Sequence, residues 1–364
     1  MTFPIRTILF AFAVVILSAC HSPQVRTHAS GKRPEDMKPF VTCSGERALV
    51  TGTWEKKGAQ GTLEVMRLGV DDQFHPWLKR GATRAESFTP HGLSIVPCST
   101  APGWEGKALL YAIHSDSFGK NRTVEVFEIQ AGRFVYLRSL GAVNRPALGA
   151  INSIAAMPNG TVFLSFFGVC AKKQVATPRL STLSPGEKAP TDALLRFRPT
   201  RSGSAGMGQW EVYGTGWGGA NGLSYSARHG VLLVAGFHKK LFHAVPVDAN
   251  TGTLDFTRWQ QITLPGNPDN ISELANGHWM ASAVPGVFSA AIRLYLENFK
   301  FPPTPYLFDQ CNVVEVAIDP LRIVAVTSMP RCLTQPSTVW RDGDRFYTSR
   351  IRQPGVASWT VPKP

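Results

Sequence analysis

One pattern recurs six times along the chain and constrains the fold more than any other feature. A polar head precedes an apolar run, a turn follows, and a second apolar run returns: "EDMKPFVTCSGERALVTGT", "HGLSIVPCSTAPGWEGKALLYAIH", "NSIAAMPNGTVFLSF", "NGLSYSARHGVLLVAGF", "DNISELANGHWMASAV" and "STVWRDGDRFYTSRI". Short apolar runs bounded by Gly, Asn and Asp are strands of hairpins. The heads fall at Glu35, His91, Asn152, Asn221, Asp269 and Ser337, 48 to 69 residues apart, which leaves room for four strands and their loops. Second hairpins are visible in "RTVEVFEIQAGRFVYLRSL" and "KLFHAVPVDANTGTLDFTRWQQI". A unit that cannot bury its own apolar face must stack on its neighbours. Six such units predict an all-β fold, a six-bladed β-propeller with four-stranded blades, over residues 35–364. A β-sandwich array, the alternative, gives no reason for a polar head before every first hairpin.

In a propeller the first strand of each blade lines the central channel, so matching positions converge on the axis. Glu35, Asn152, Asn221, Asp269 and its neighbour Asn270 would then bring five oxygen donors to one place, two of them formally charged. Without thiol or imidazole, that set suits a hard divalent cation, and its charge and number suit Ca²⁺ better than Mg²⁺, which demands tighter octahedral geometry. One calcium ion is expected. The bland reading, in which each Asn or Asp only caps its own turn, leaves the agreement in position unexplained. His91, the head of the second unit, has the right chemistry for a general base near neutral pH. His238, His243 and His278 read as strand or surface residues, with His243 at the edge of the pocket.

The first residues are a separate matter. Arg6 precedes the apolar run "TILFAFAVVILSA", which ends in "LSAC", the form of a signal peptide rather than of a membrane span. Leu17-Ser18-Ala19-Cys20 resembles the bacterial lipobox, which implies a signal over 1–19, a lipid on Cys20 and a tether over 20–34. An ordinary secretory cut near Ala19 is the alternative. With His21 rather than Asp after the cysteine, the expected location is the bacterial envelope, on the outer membrane facing the periplasm. The formal net charge is +13, but the basic residues are scattered and carry no nucleic-acid motif, so no nucleic-acid partner is expected. No CxxC or Cys/His spacing suggests zinc. Cys43 could pair with Cys98 across adjacent units and Cys311 with Cys332 around the "NVVEVAIDPLRIVAVTS" hairpin, leaving Cys170 over. Two insertions, 170–195 and 288–308, could cap the site or, for the second, extend a blade core.

"SFTPHGLSI", "LLYAIHSD", "VEVFEIQ", "AINSIAA", "GGANGLSYS", "PDNIS" and "TQPSTVWRDGDRFYTSRI" are similar, in the same order, to the paraoxonase/arylesterase family of calcium propellers that hydrolyse lactones and aryl esters. The chain more distantly resembles the gluconolactonase-like propellers. The resemblance runs from about Glu35 to Val361. It implies that Glu35, Asn152, Asn221, Asp269 and Asn270 hold a catalytic calcium, that His91 is the general base and that His114 is the second histidine of a dyad. That family's structural calcium uses an Asp directly after the first Asn; here Ser153 stands there, while Asp36 is retained. The expected activity is therefore that of a carboxylic-ester hydrolase acting on a small lactone or ester, and a monomer is expected. The rival is a calcium-stabilised propeller that binds a small molecule or an envelope partner without turning it over.

Overall fold

The computed structural model describes residues 25–42, 45–54, 61–78, 88–115, 122–142, 150–167, 192–199, 208–284, 311–329, 336–350 and 354–361. The expected signal, Cys20, Cys43, Cys170, Cys332 and nearly all of both insertions lie outside these residues. The described part is a six-bladed β-propeller of four-stranded antiparallel sheets. The chain opens with β1 (Arg26–His28), and blade 1 follows as β2 (Met37–Val41), β3 (Arg47–Thr53), β4 (Thr62–Arg67) and β5 (His75–Pro76). Blade 2 is β6 (Pro90–Val96), β7 (Leu109–Ser115), β8 (Arg122–Gln130) and β9 (Arg133–Ala142). Blade 3 is β10 (Ala150–Ala156), β11 (Val162–Phe167), β12 (Ala193–Pro199) and β13 (Gly208–Thr215). Blade 4 is β14 (Ala220–Ser226), β15 (Val231–Gly236), β16 (Leu241–Pro246) and β17 (Gln260–Thr263). Blade 5 is β18 (Asn267–Glu273), β19 (Trp279–Val284), β20 (Asn312–Ile318) and β21 (Leu321–Ser328). Blade 6 has β22 (Pro336–Asp342), β23 (Arg345–Arg350) and β24 (Val356–Thr360), with β1 as its outermost strand.

The ring thus closes by pairing its first strand with its last, Arg26 opposite Ser358 and His28 opposite Val356. This corrects the expected tether: residues 26–28 are part of the propeller, because an open outer edge on β24 would leave a row of unpaired backbone groups. His28 fixes the join from its side chain, with Nε2 2.8 Å from Ser358 Oγ and Nδ1 2.9 Å from the Asp72 carbonyl in blade 1. The end of the first insertion is also corrected, since residues 193–195 belong to β12.

The strands read as apolar runs because both faces of each blade are buried between neighbours. In β15, Leu232 and Val234 pack toward blade 3, whereas Val231, Leu233 and Ala235 pack toward blade 5. The period of two is present, but it sorts apolar residues between two cores rather than between core and water. In the turn after β18, Gly277 adopts φ +83 and its N–H donates to the Leu274 carbonyl at 2.9 Å, so the Asn-Gly pair does reverse the chain where the hairpin pattern required. Cys98 is a free, exposed thiol, and the expected Cys43–Cys98 bridge is not made: after β6 the chain turns Cys98 to solvent instead of toward the adjacent blade. Cys311 is disulfide-bonded, with its partner outside the described residues.

Candidate functional site

Five inner strands are irregular where the heads fall. Pairing to the second strand shifts between Pro90 and Leu93, Ile151 and Ile154, Ala220 and Leu223, Pro268 and Ile271, and Pro336 and Val339. Each shift holds a dipeptide: His91-Gly92, Asn152-Ser153, Asn221-Gly222, Asp269-Asn270 and Ser337-Thr338. Blade 1 supplies Glu35-Asp36 just ahead of β2. A bulge frees residues from the ladder and re-aims their side chains, so the polar heads mark places where strands leave regular pairing.

These dipeptides touch around the axis. A Cβ on Gly92 would lie 2.8 Å from the Asn152 carbonyl oxygen, and one on Gly222 2.3 Å from that of Asp269; only glycine permits such approach. The Leu223 N–H donates to Ser153 Oγ at 3.0 Å, Asn270 Nδ2 to Ser337 Oγ at 2.9 Å, Thr338 Oγ1 to Asp36 Oδ1 at 2.8 Å, and the Leu93 N–H to Asp36 Oδ2 at 2.8 Å. Serines of the second strands brace the ring from behind. Ser165 Oγ donates to the Asn221 carbonyl at 2.6 Å, Ser282 Oγ to that of Ser337 at 2.8 Å and Ser349 Oγ to that of Glu35 at 3.0 Å.

The site's polar groups are short of positive charge and of donors. Asp269 is buried, and its carboxyl is pushed up to about 8, first by desolvation and then by the charge of Glu35, with Asp36 adding to it. Asn221 Oδ1 and Asn270 Oδ1 are buried and accept no hydrogen bond among the described residues. An orphaned buried amide oxygen costs free energy that a cation would recover. Carboxylates that repel one another beside amide oxygens that accept no hydrogen bond among the described residues are the donor types a hard divalent cation takes, so these residues would fit calcium. Among the described residues no three His, Cys, Asp or Glu side chains gather as a metal cluster; the fit is to carboxylate and amide oxygen, not to a transition-metal set.

His91 is tied to this group. Its Nδ1 lies 2.8 Å from Glu35 Oε2, and because a carboxylate only accepts, the proton of neutral His91 sits on Nδ1 and the lone pair on Nε2. His114 pairs opposite Pro90 in the ladder of β6 and β7 and its Nδ1 accepts from the Thr89 N–H at 3.0 Å, which places its own proton on Nε2. His243, expected at the pocket edge, is instead fully buried. Its Nε2–H donates to the Trp217 carbonyl at 2.9 Å and its Nδ1 accepts from Trp259 Nε1 at 3.2 Å, with burial holding it down to about 4. It is a neutral core residue, for β16 is a middle strand of its blade.

Several residues of the site escaped sequence reasoning. Lys38, 7% exposed, crosses the hub to donate to the Ile271 carbonyl at 3.0 Å and lies 3.3 Å from Asp36 Oδ1. Asp36 therefore has a counter-charge already. Asp192 accepts from the Gly218 and Ala220 N–H groups at 2.7 and 2.6 Å, clamping the turn that leads into Asn221. The bracing serines carried a signal: Ser165 and Ser282 each follow a turn glycine, Gly160 and Gly277, by five residues. Lys38 and Asp192 carried none.

Fold and ring define a class, a six-bladed β-propeller whose blade heads gather carboxylate, amide and imidazole groups on the axis. Solved structures share the architecture. A luciferin-regenerating enzyme matches with a TM-score of 0.53 at 12% identity over 93% of this chain and 95% of its own. A gluconolactonase of Xanthomonas campestris matches at 0.50 and 14% over 95% and 93%, and the PQQ-bound aldose sugar dehydrogenase of Streptomyces coelicolor at 0.50 and 10% over 93% and 98%. No family profile and no curated protein matches the sequence. Neighbours with such different names establish the fold and leave the chemistry to the site.

Proposed function

We propose that this chain hydrolyses lactones or related carboxylic esters with the help of a bound calcium ion, His91 acting as general base. The observation that carries the reading is a pair of buried amide oxygens, Asn221 Oδ1 and Asn270 Oδ1, that accept no hydrogen bond among the described residues, beside Asp269, whose carboxyl is raised by desolvation and then by the charge of Glu35, with His91 hydrogen-bonded to Glu35. Glu35, Asn152, Asn221, Asp269 and Asn270 would hold the ion. When bound it supplies a Lewis acid for the carbonyl oxygen of the ester.

The chain's own residues account for the proton. His91 Nε2 takes a proton from water as the water oxygen bonds to the carbonyl carbon, and Glu35, on Nδ1, stabilises the imidazolium that results. When the ring C–O bond of the lactone breaks, the same imidazolium returns the proton to the departing alkoxide, giving a hydroxy acid. His114, fixed by the Thr89 N–H, is assigned the secondary place, orienting water or substrate near His91. The ordered resemblance to the paraoxonase/arylesterase propellers supports this reaction class, and a propeller of the same architecture is a gluconolactonase in Xanthomonas.

A panel of lactones and aryl esters assayed with calcium and with EDTA tests the proposal. The expected result is turnover abolished by EDTA, restored by calcium, and reduced at least about 100-fold in His91→Gln, the lower end of what a general base contributes. Turnover indifferent to EDTA, or full activity in His91→Gln, would overturn it; calcium binding with no turnover of any ester would favour a binding module.

A further inference from the structure

We infer that the wedge formed by blades 5, 6 and 1 rests on a phospholipid surface, so that the face bearing the six heads points away from the bilayer. All six exposed large apolar side chains among the described residues belong to these three consecutive blades: Val25, Val41, Val70, Ile323, Val324 and Val326, 36 to 64% exposed. Single exposed valines are ordinary. Their confinement to half the ring, centred on the blade from which the N-terminal chain leaves, is not.

The direction of that exit follows from strand register. Pro336, beside the head of blade 6, pairs with Arg350, and Asp342 with Arg345. Arg345 in turn pairs with Thr360, so the end of β24 lies at the face opposite the heads. β1 runs antiparallel to β24, with Arg26 at Ser358 and His28 at Val356. The chain ahead of Arg26 therefore leaves through the far face. Val41 closes β2, and Val70 stands in the turn after β4, both at that same far face, and the Arg26–Asp72 ion pair at 2.8 Å joins β1 to the Val70 loop. On the other side, Ile323, Val324 and Val326 lie along β21, the outermost strand of blade 5.

The occupant is named by the linker. Cys20, the residue expected to carry the acyl chains, precedes Arg26 by six positions, a reach of at most about 20 Å when extended. A propeller on so short a leash meets the lipid with the edge from which the leash emerges. The contact is mainly apolar despite the net charge of +13, because three arginines near these valines are engaged, Arg26 with Asp72, Arg67 with Asp71 at 3.0 Å, and Arg47 with Asp342, which leaves Arg322, exposed beside Ile323, to add a cation at the outer edge. The inference rests on acylation at Cys20 and is independent of the proposed catalysis.

The test places the photoreactive residue p-benzoylphenylalanine at Val41, Val70 or Val324, and as controls at the exposed Glu105 of blade 2 or Ala249 of blade 4, in the full chain expressed with its leader and reconstituted into phosphatidylcholine vesicles. Intact mass reports both acylation and adducts after irradiation. Lipid adducts at the three wedge positions, at least tenfold above the controls and unchanged in high salt, are expected. Equal adducts at all five positions, or none on an acylated chain, would show that the propeller tumbles on its tether and would overturn the inference. Adducts of twice the chain mass would assign the wedge to a second copy instead, and an unacylated chain would remove the basis for any lipid contact.

Discussion

Lys38→Met is the sharpest test of how the hub is held together. Asp36 is fully buried and accepts from the Met37 N–H, the Leu93 N–H and Thr338 Oγ1, each at 2.8 Å, and the Lys38 ammonium at 3.3 Å is the cation that balances it. Methionine keeps the length and apolar stem of lysine, so little packing is lost, but Asp36 is left as a buried charge without a partner. Breaking such a pair from one side costs about 3–5 kcal/mol; the three hydrogen bonds that Asp36 keeps put the expected value near the lower end, about 3 kcal/mol, or roughly 150-fold in the folded-to-unfolded ratio. Chemical denaturation in EDTA reads the loss directly. The double variant Asp36→Ala/Lys38→Met removes both charges and should recover a large part of it, giving a coupling of at least about 1 kcal/mol. A loss below about 1 kcal/mol in Lys38→Met, or no recovery in the double variant, would refute the assignment of Lys38 as the counter-ion of Asp36.

Other expectations follow from the same site. Because the folded-state value of Asp269, about 8, lies above its ordinary 3.8, the ion-free fold holds an extra proton between those values and loses stability as pH rises, roughly 1.4 kcal/mol per pH unit. Denaturation in EDTA should show this between about pH 6.5 and 8, and Asp269→Asn or saturating calcium should flatten it. His243 acts in the opposite sense: its folded-state value of about 4 lies below 6.5, so its contribution is complete above 6.5 and is lost as pH falls toward 4, a loss that a pH series on Trp259→Phe, which keeps the ring but removes the donor to Nδ1, should reveal as an altered acid limb. Asn221→Ala removes an oxygen that accepts no hydrogen bond among the described residues, so in EDTA it should cost less than about 1 kcal/mol, while calcium affinity measured by calorimetry falls at least about tenfold; a large loss of stability without calcium would contradict its proposed role as a ligand.

Much of the fold was legible in the sequence because each blade repeats one hairpin grammar, and five of the six heads of that grammar are bulges of the inner strands. Asp269-Asn270 and Asn152-Ser153 could be recognised by position alone, since a polar pair interrupts an otherwise apolar strand at the same place in each unit. Lys38 could not. It sits inside β2 between Met37 and Pro39, where a lysine on a strand normally reads as a solvent-facing residue, and only the convergence of blades 1 and 5 gives its ammonium a carbonyl and a carboxylate to meet. Asp192 was hidden for a similar reason, as the N–H groups that donate to it lie 26 and 28 residues away, at the entry to another blade. His243 was misjudged because a histidine in a strand has no sequence mark that separates a rim from a core. The boundary at residue 35 was missed because β1 is three residues long and takes its strand character wholly from β24.

That short clasp has a bearing on how the molecule is made. Residues 26–28 are synthesised some 330 residues ahead of their pairing partners, Val356, Ala357 and Ser358. The toroid cannot be locked until β24 has been made, and the newborn protein must keep β1 idle through that stretch of growth. Contacts of such sequence separation are slow to form, so final shutting of the circle, rather than assembly of any single hairpin, is the step at which a nascent chain of this design stands most open to proteases and to partners of the wrong kind.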